Sequence, residues 1–371
     1  MENKNLQLVV QLRHELHAHP ELSNNEIWTK QHLMNFLKAH TKLEIVDRGR
    51  WFYAVYHSKV GTRNIAFRAD FDALPIEETI DLPYGSKCPG VSHKCGHDGH
   101  SATLCGFALE IDQKGSDNNI YFLFQHAEET GDGATECAVL IEEKNIDEIF
   151  GWHNMSGIQE KTVYVINGTA QYASKGMSIY MEGTPSHASE PEKGINPAFA
   201  IAKIIDSIPN FTHSAVNRGN VLCTVVQVDI GTKAFGVNAS KGTLRMTIRA
   251  LYEEEMDRLQ HNLEKLAQAE AQKYGLKVRF DYQDEFPETS NHTESSDKIR
   301  QVCAEKNMPM IELEEAFRAS EDFGHYTKMT KGSYCYIGNG EDYPNIHTIE
   351  YDFKDDLIET GVELFKGLAE L

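Results

Sequence analysis

The chain has 371 residues, 40% of them hydrophobic and 25% charged, with 56 acidic side chains against 36 basic ones and a formal net charge of −20. That length exceeds what one hydrophobic core usually holds, so two domains are expected. The acidic balance argues against nucleic acid or an anionic membrane as partner, and no apolar run reaches the ~20 residues of a membrane span.

The start, Met-Glu-Asn-Lys-Asn, lacks the charged-then-apolar form of a signal peptide. The seven cysteines are scattered and odd in number, which does not suggest a disulfide framework. The cytoplasm is the simplest address.

Residues 6–19 have helical spacing, with Leu8, Leu12 and Leu16 on one stripe, and Pro20 stops the helix. A second helix is predicted over about 25–39, with Ile27, Leu33, Phe36 and Leu37 as its apolar face. His17 and His19, near the end of the first helix, read as capping or surface groups. Strand-like segments follow at 51–56 and 64–67, the second running into Asp70 and Asp72. Residues 92–100, Ser-His-Lys-Cys-Gly-His-Asp-Gly-His, form a polar loop before a buried helix over 101–111. The strand at 120–124 ends in Gln-His-Ala-Glu-Glu, and a helix over about 135–143 leads to Ile149-Phe150 and Gly151-Trp-His-Asn.

This alternation implies an α/β fold: a mostly parallel sheet with helices on both faces. Ligands collect beyond the carboxyl ends of such strands. Asp70, Asp72, Glu128, Glu129 and His153 all follow apolar strand segments, as a shared site requires.

From about residue 175 the rhythm changes. Strands at 176–182, 221–228, 243–250 and 276–282, with helices at 196–208 and 253–274, give the order β-α-β-β-α-β of a ferredoxin-like unit. The expected organisation is therefore a first domain of residues 1–172 and 285–371, interrupted by an inserted domain of residues 173–284. After the insertion come a helix at 296–306, a strand at 333–337, a loop carrying His347 and a terminal helix at 353–369.

Cys95 and His97, with Gly96 between them and Asp98 after, supply a thiolate, an imidazole and a carboxylate within reach of one divalent ion. With His153, His347 and one of Glu128 and Glu129, the candidate donors number five. That exceeds what one tetrahedral ion needs while keeping a place for water. Two ions ~3.5–4 Å apart with a shared thiolate would use them all. Adjacent glutamates on an extended segment point to opposite sides, so one could bind metal while the other serves as general base to an attacking water. Such a set describes amide hydrolysis.

The same residues resemble a known family, the metal-dependent aminoacylase and carboxypeptidase superfamily. Within it they resemble the amidohydrolase branch of hippurate hydrolases, indole-3-acetyl-amino-acid hydrolases and N-acetyldiaminopimelate deacetylases. The resemblance runs nearly end to end through RHELHAHPELSNNE, AFRADFDALPIEE, HKCGHDGHSA, FLFQHAEETGDGA, GWHN, SHASEP, ASEDFGHY and His347. It implies a zinc-exopeptidase-like fold, with Cys95, His97, Glu129, His153 and His347 as ligands of one or two divalent ions (zinc, manganese, cobalt or nickel) and Glu128 as the general base. The inserted domain would be a lid and dimerisation domain, making the protein a homodimer. His187 matches the lid histidine that helps polarise the scissile carbonyl in relatives, and Asn238 a lid asparagine associated with substrate binding. Asp98 would orient a ligand imidazole. The implied substrate is an N-acyl amino acid or related peptide. The rivals are a dipeptidase or carboxypeptidase with the same machinery, and a binding protein that kept only the fold.

Departures from the family pattern fall around the substrate and bear on specificity. His126 stands where proline is usual and Thr130 where glycine is usual. Asn-Met-Ser-Gly follows His153 where relatives carry a proline, and Ala-Ser-Lys-Gly follows Asn238 in place of Ile-Pro-Asp.

Overall fold

The computed structural model describes residues 1–61 and 63–371, which form two compact units. The first comprises 1–170, 289–316 and 322–371, and the second 171–288 with the short segment 317–321.

The first unit begins with helices α1 (Asn3–Ala18) and α2 (Ile27–His40), then strands β1 (Glu44–Asp47), β2 (Phe52–Tyr56) and β3 (Asn64–Asp70). Helix α3 (His97–Lys114), β4 (Asn119–Gln125), the short helices α4 (Gly133–Cys137) and α5 (Val139–Glu143), β5 (Glu148–Ser156), β6 (Val163–Val165) and β7 (Gly168–Gln171) follow. In the second unit come β8 (Ala173–Glu182), β9 (Ser186–His187), α6 (Ala198–Thr212), β10 (Val221–Ile230), β11 (Val237–Asn238), β12 (Lys241–Ala250), α7 (Glu253–Tyr274) and β13 (Lys277–Phe286). The chain closes with β14 (Thr289–Asn291), α8 (Thr293–Glu305), β15 (Met310–Glu312), α9 (Gly324–Thr327), β16 (Lys331–Gly340) and α10 (Leu357–Ala369).

Eight strands make the large sheet, in the order β1-β2-β4-β3-β5-β16-β6-β15. Its centre, β4-β3-β5-β16, is parallel throughout, whereas β1-β2, β2-β4 and β16-β6 pair antiparallel. The four central strands are buried along almost their whole length, as strands covered on both faces must be. Phe67 of β3 packs edge-on against Phe107 of α3 and Phe365 of α10, within a core that also takes Val9, Leu12 and Leu16 from α1. This is the α/β architecture expected from the alternation. The short strands β6 and β15 are additions, and Ile27 leaves the predicted apolar face of α2 because it sits in the first turn, 78% exposed, while Leu33, Met34 and Leu37 take the buried stripe.

The second unit is a four-stranded antiparallel sheet, β10-β12-β8-β13. Its chain order, β8-α6-β10-β12-α7-β13, is the ferredoxin-like β-α-β-β-α-β. Met177, Ile179 and Met181 of β8 meet Ile201 and Ile204 of α6 and Leu259 and Leu263 of α7 in a separate core. The segment 317–321 adds to this unit, since Tyr172 N–H bonds Ala319 O and Arg249 bonds Arg318 O and Ser320 Oγ. No helix among the described residues is long and apolar enough to cross a membrane.

Candidate metal centre

The carboxyl ends of the central strands carry the site. Helix α3 starts at His97 itself, inside the stretch 92–100 expected to be a loop, and its N-cap is Gly96 in the left-handed region at φ 104°. A Cβ at Gly96 would stand 2.3 Å from Asn154 Oδ1, so only glycine allows this turn between Cys95 and His97. His153 lies within β5, paired with Tyr336 of β16. His347 follows β16 on a loop held by its own N–H, which donates to Lys94 O at 2.6 Å. Two non-glycine residues of the site, Ala127 (φ 46°) and His347 (φ 62°), are left-handed, backbone strain of the kind that gathers at functional sites.

Cys95 Sγ lies 3.3 Å from His153 Nε2 and 3.3 Å from His347 Nε2. Glu129 Oε1 is 3.5 Å from His347 Nε2 and 3.8 Å from His97 Nε2, and Glu128 Oε2 is 3.7 Å from His97 Nε2. Donors that share one ion at bond lengths of about 2.0–2.3 Å stand roughly 3.5 Å apart. Two overlapping sets result, Cys95 with His97 and His153, and Cys95 with Glu129 and His347. The thiol belongs to both.

The imidazoles are set as ligands. His153 Nδ1–H donates to Asn154 O at 2.6 Å, which leaves its Nε2 lone pair facing Cys95. His97 Nδ1–H donates to Asp72 Oδ1 at 3.0 Å and Asp72 O at 3.1 Å, and its buried Nε2 has no hydrogen-bond partner among the described residues. Glu129 Oε1 is likewise buried and unpartnered. Unsatisfied polar atoms this deep are costly unless something else engages them. A carboxylate or carbonyl fixing the tautomer of a ligand histidine is the usual outer support of a metal site.

The electrostatics point the same way. Burial pushes the Cys95 thiol up, and Glu129, Glu128 and Asp70 push it further. A thiolate here needs a cation beside it. Burial alone would lower His97, yet Asp70, Asp72 and Glu129 raise it to about 10. Burial opposes ionisation of Asp70, but His97, Arg68 and His100 hold its carboxyl well below the usual range. Burial and the neighbouring His100 keep His153 neutral. Soft and borderline donors in a field of carboxylates fit a late divalent ion such as zinc.

Three expectations change. Asp98 holds none of the candidate donors: it accepts from His17 Nδ1 at 2.8 Å and Arg13 Nη1 at 3.4 Å, because the first turn of α3 directs it toward α1. The imidazole of His97 is held by Asp72, at the end of β3. His17 is no cap or surface group but fully buried, with Nε2 2.8 Å from Glu78. Glu128 and Glu129 do not diverge as on a strand; left-handed Ala127 starts a turn, closed by Gly131 N–H to Glu128 O at 2.8 Å, that turns both carboxylates toward His97.

Sequence reasoning gave no role to His100, the third histidine of its stretch, whose Nδ1 donates to Asp70 Oδ1 at 2.7 Å. Its signal was the fixed distance from His97 on one helix face. His187 and Asn238 lie in the second unit, on the small ribbon where β9 and β11 pair Ser186 with Asn238 and His187 with Val237.

The profile of the peptidase family M20/M25/M40 matches residues 66–371. The chain is 29% identical over 366 residues to a hippurate hydrolase of Campylobacter jejuni subsp. jejuni, covering 96% of this chain and 94% of that protein. It is 27% identical over 371 residues to an N-acetylcysteine deacetylase of Bacillus subtilis, covering 97% and 96%. Among solved structures, a putative aminohydrolase from methicillin resistant Staphylococcus aureus shares the fold with a TM-score of 0.89 at 24% identity, over 98% of this chain and 96% of that one. A Bacillus subtilis protein described as a dinuclear metal binding peptidase does so with a TM-score of 0.84 at 24% identity, over 99% and 98%.

Proposed function

Because the chain belongs to the peptidase family M20/M25/M40, we propose that it is a metal-dependent amidohydrolase that cleaves the amide bond of N-acyl amino acids. One observation carries the reading: a buried thiol within 3.3 Å of two imidazole nitrogens, beside the unpartnered His97 Nε2 and Glu129 Oε1. Hippurate and N-acetylcysteine, the substrates in the names of two relatives, are both N-acyl amino acids.

Cys95, His97, Glu129, His153 and His347 would hold the ions, with Cys95 shared. Divalent ions there supply Lewis-acid polarisation of the scissile carbonyl and ease deprotonation of water. Glu128 takes a proton from the attacking water and returns it to the leaving amine as the C–N bond breaks, so that amide and water become carboxylate and amine. His187 enters as a donor to the tetrahedral oxyanion, a large catalytic contribution in such reactions, and Asn238 as a substrate contact, both on the strength of their motif matches. A homodimer formed through the second unit and a cytoplasmic site of action complete the reading; seven free cysteines suit a reducing compartment.

A panel of N-acetyl and N-benzoyl amino acids against dipeptides, each with zinc, manganese, cobalt and nickel, tests the substrate. Turnover of the N-acyl series is expected. Dipeptides as the preferred substrates would make the protein a dipeptidase, and no turnover with any metal would make it a binding relative. Glu128→Gln should lower kcat by roughly 10²–10⁴-fold at unchanged metal content.

A further inference from the structure

We propose that the side chain of Asn154 is a positioning residue, a strut that holds the Cys95–His97 turn, strand β5 and the His347 loop at the spacing the ions require. The inference rests on the metal-centre reading above and goes beyond it to a residue outside the donor set.

Asn154 is fully buried and directly follows His153 on β5. Its Oδ1 accepts from His100 Nε2 at 2.7 Å, and its Nδ2 donates to the Tyr351 hydroxyl at 2.7 Å. Both groups press on the backbone between two donors, since a Cβ on Gly96 would meet Asn154 Oδ1 at 2.3 Å and Tyr351 Oη at 2.9 Å. Tyr351 then closes a circuit. Its carbonyl accepts from Lys94 Nζ at 2.7 Å, and the carbonyl of Lys94 accepts the His347 N–H at 2.6 Å. Lys94 is the residue before Cys95. On the other side His100 donates to Asp70, whose Oδ2 lies 3.9 Å from His97 Nε2.

One amide thus touches or adjoins every segment that carries a donor except the Glu128–Glu129 turn. A leucine of similar volume would fill the space, but it would take the side-chain partner from the Tyr351 hydroxyl and from His100 Nε2, leaving that nitrogen only the backbone N of residue 154 at 3.3 Å. The donors would remain and their spacing would relax. A residue that only packs the core should affect folding and leave the ions' surroundings alone. A strut should do the reverse.

The test uses the full chain, stripped of metal and titrated with cobalt(II), as wild type, Asn154→Leu and Tyr351→Phe. Three quantities are read: affinity by chelator competition, the thiolate-to-cobalt charge-transfer and d–d absorption bands, and thermal melting of the metal-free proteins. Loss of an outer support typically weakens metal binding by about 10–100-fold. That loss is expected for Asn154→Leu, with shifted d–d bands, and a smaller change in the same direction for Tyr351→Phe. If Asn154→Leu fails to fold, Tyr351→Phe decides alone, since it removes a single oxygen. Wild-type affinity and spectrum in the folded variants would overturn the proposal while leaving the metal centre standing. A wild type with no thiolate-to-cobalt band would bring down the metal-centre reading, and this one with it.

Discussion

His17 shows what a side chain's type leaves open. Its two ring nitrogens face two carboxylates, Asp98 at 2.8 Å and Glu78 at 2.8 Å, so both must donate and the ring is an imidazolium. Burial works against that charge, but the bonds to Asp98 and Glu78 prevail and raise His17 to about 9 from its ordinary 6.5. A raised imidazole stabilises the fold fully below the unfolded value of 6.5, and the contribution fades as pH rises through about 9. His17→Leu should therefore cost about 3 kcal/mol at pH 7, the cost of breaking a buried pair, and less at pH 9.5, as read by urea denaturation at both values. An equal gap at the two values would mean the ring is neutral. The five candidate donors were legible because thiol, imidazole and carboxylate announce themselves by type. Which acid reaches which imidazole was not. Asp72 and Asp98 are equally acidic in sequence, and only the direction of β3 and the first turn of α3 gives His97 to one and His17 to the other.

At the scale of the element, helix and strand cores followed their periodicity, whereas ends and tight turns did not. The strand after residue 64 runs on to Asp70 and the helix after residue 100 begins at His97, so these two residues lie on element ends and not on the loop between them. Three-residue strands such as β6 carry too few positions to show alternation. The turn from His126 to Gly133 is the case with most consequence. Ala127 N–H donates to Glu26 Oε1 at 2.7 Å, Gly133 N–H donates to Ala127 O at 3.0 Å, and a Cβ on Gly133 would lie 1.7 Å from His126 O. No small shift of a side chain relieves a clash with backbone. Gly133→Ala should cost about 3 kcal/mol and weaken metal binding through Glu129. Gly157→Ala, at φ 81° with open space around it, carries the left-handed strain alone and should cost ~1 kcal/mol with metal affinity intact. Denaturation and metal titration of the two variants side by side decide it; equal losses in both would show that the turn does not set Glu129.

For the whole molecule, the inserted β-α-β-β-α-β order was readable because each element is long and locally patterned, while the return of residues 317–321 to the second unit depends on contacts far apart in sequence. The homodimer proposed above would use the edge of that unit's sheet. Strand β10 is one of the sheet's two edge strands, ten residues long, bonded among the described residues to β12 on one side only, with Val226 65% and Val228 45% exposed. A long apolar edge left open invites association with any similar edge. The self-limiting solution is a two-fold in which β10 meets β10 of a second copy, which uses up both edges and stops there. Lysine at such positions is how monomeric sheets protect themselves. Val226→Lys with Val228→Lys should therefore reduce the mass in light scattering from two chains to one. Metal content should not change, because Cys95, His97, Glu129, His153 and His347 all belong to the first unit. A doubly substituted protein that stays at two chains would move the interface elsewhere; one that loses metal together with its partner would show that pairing supports the centre itself.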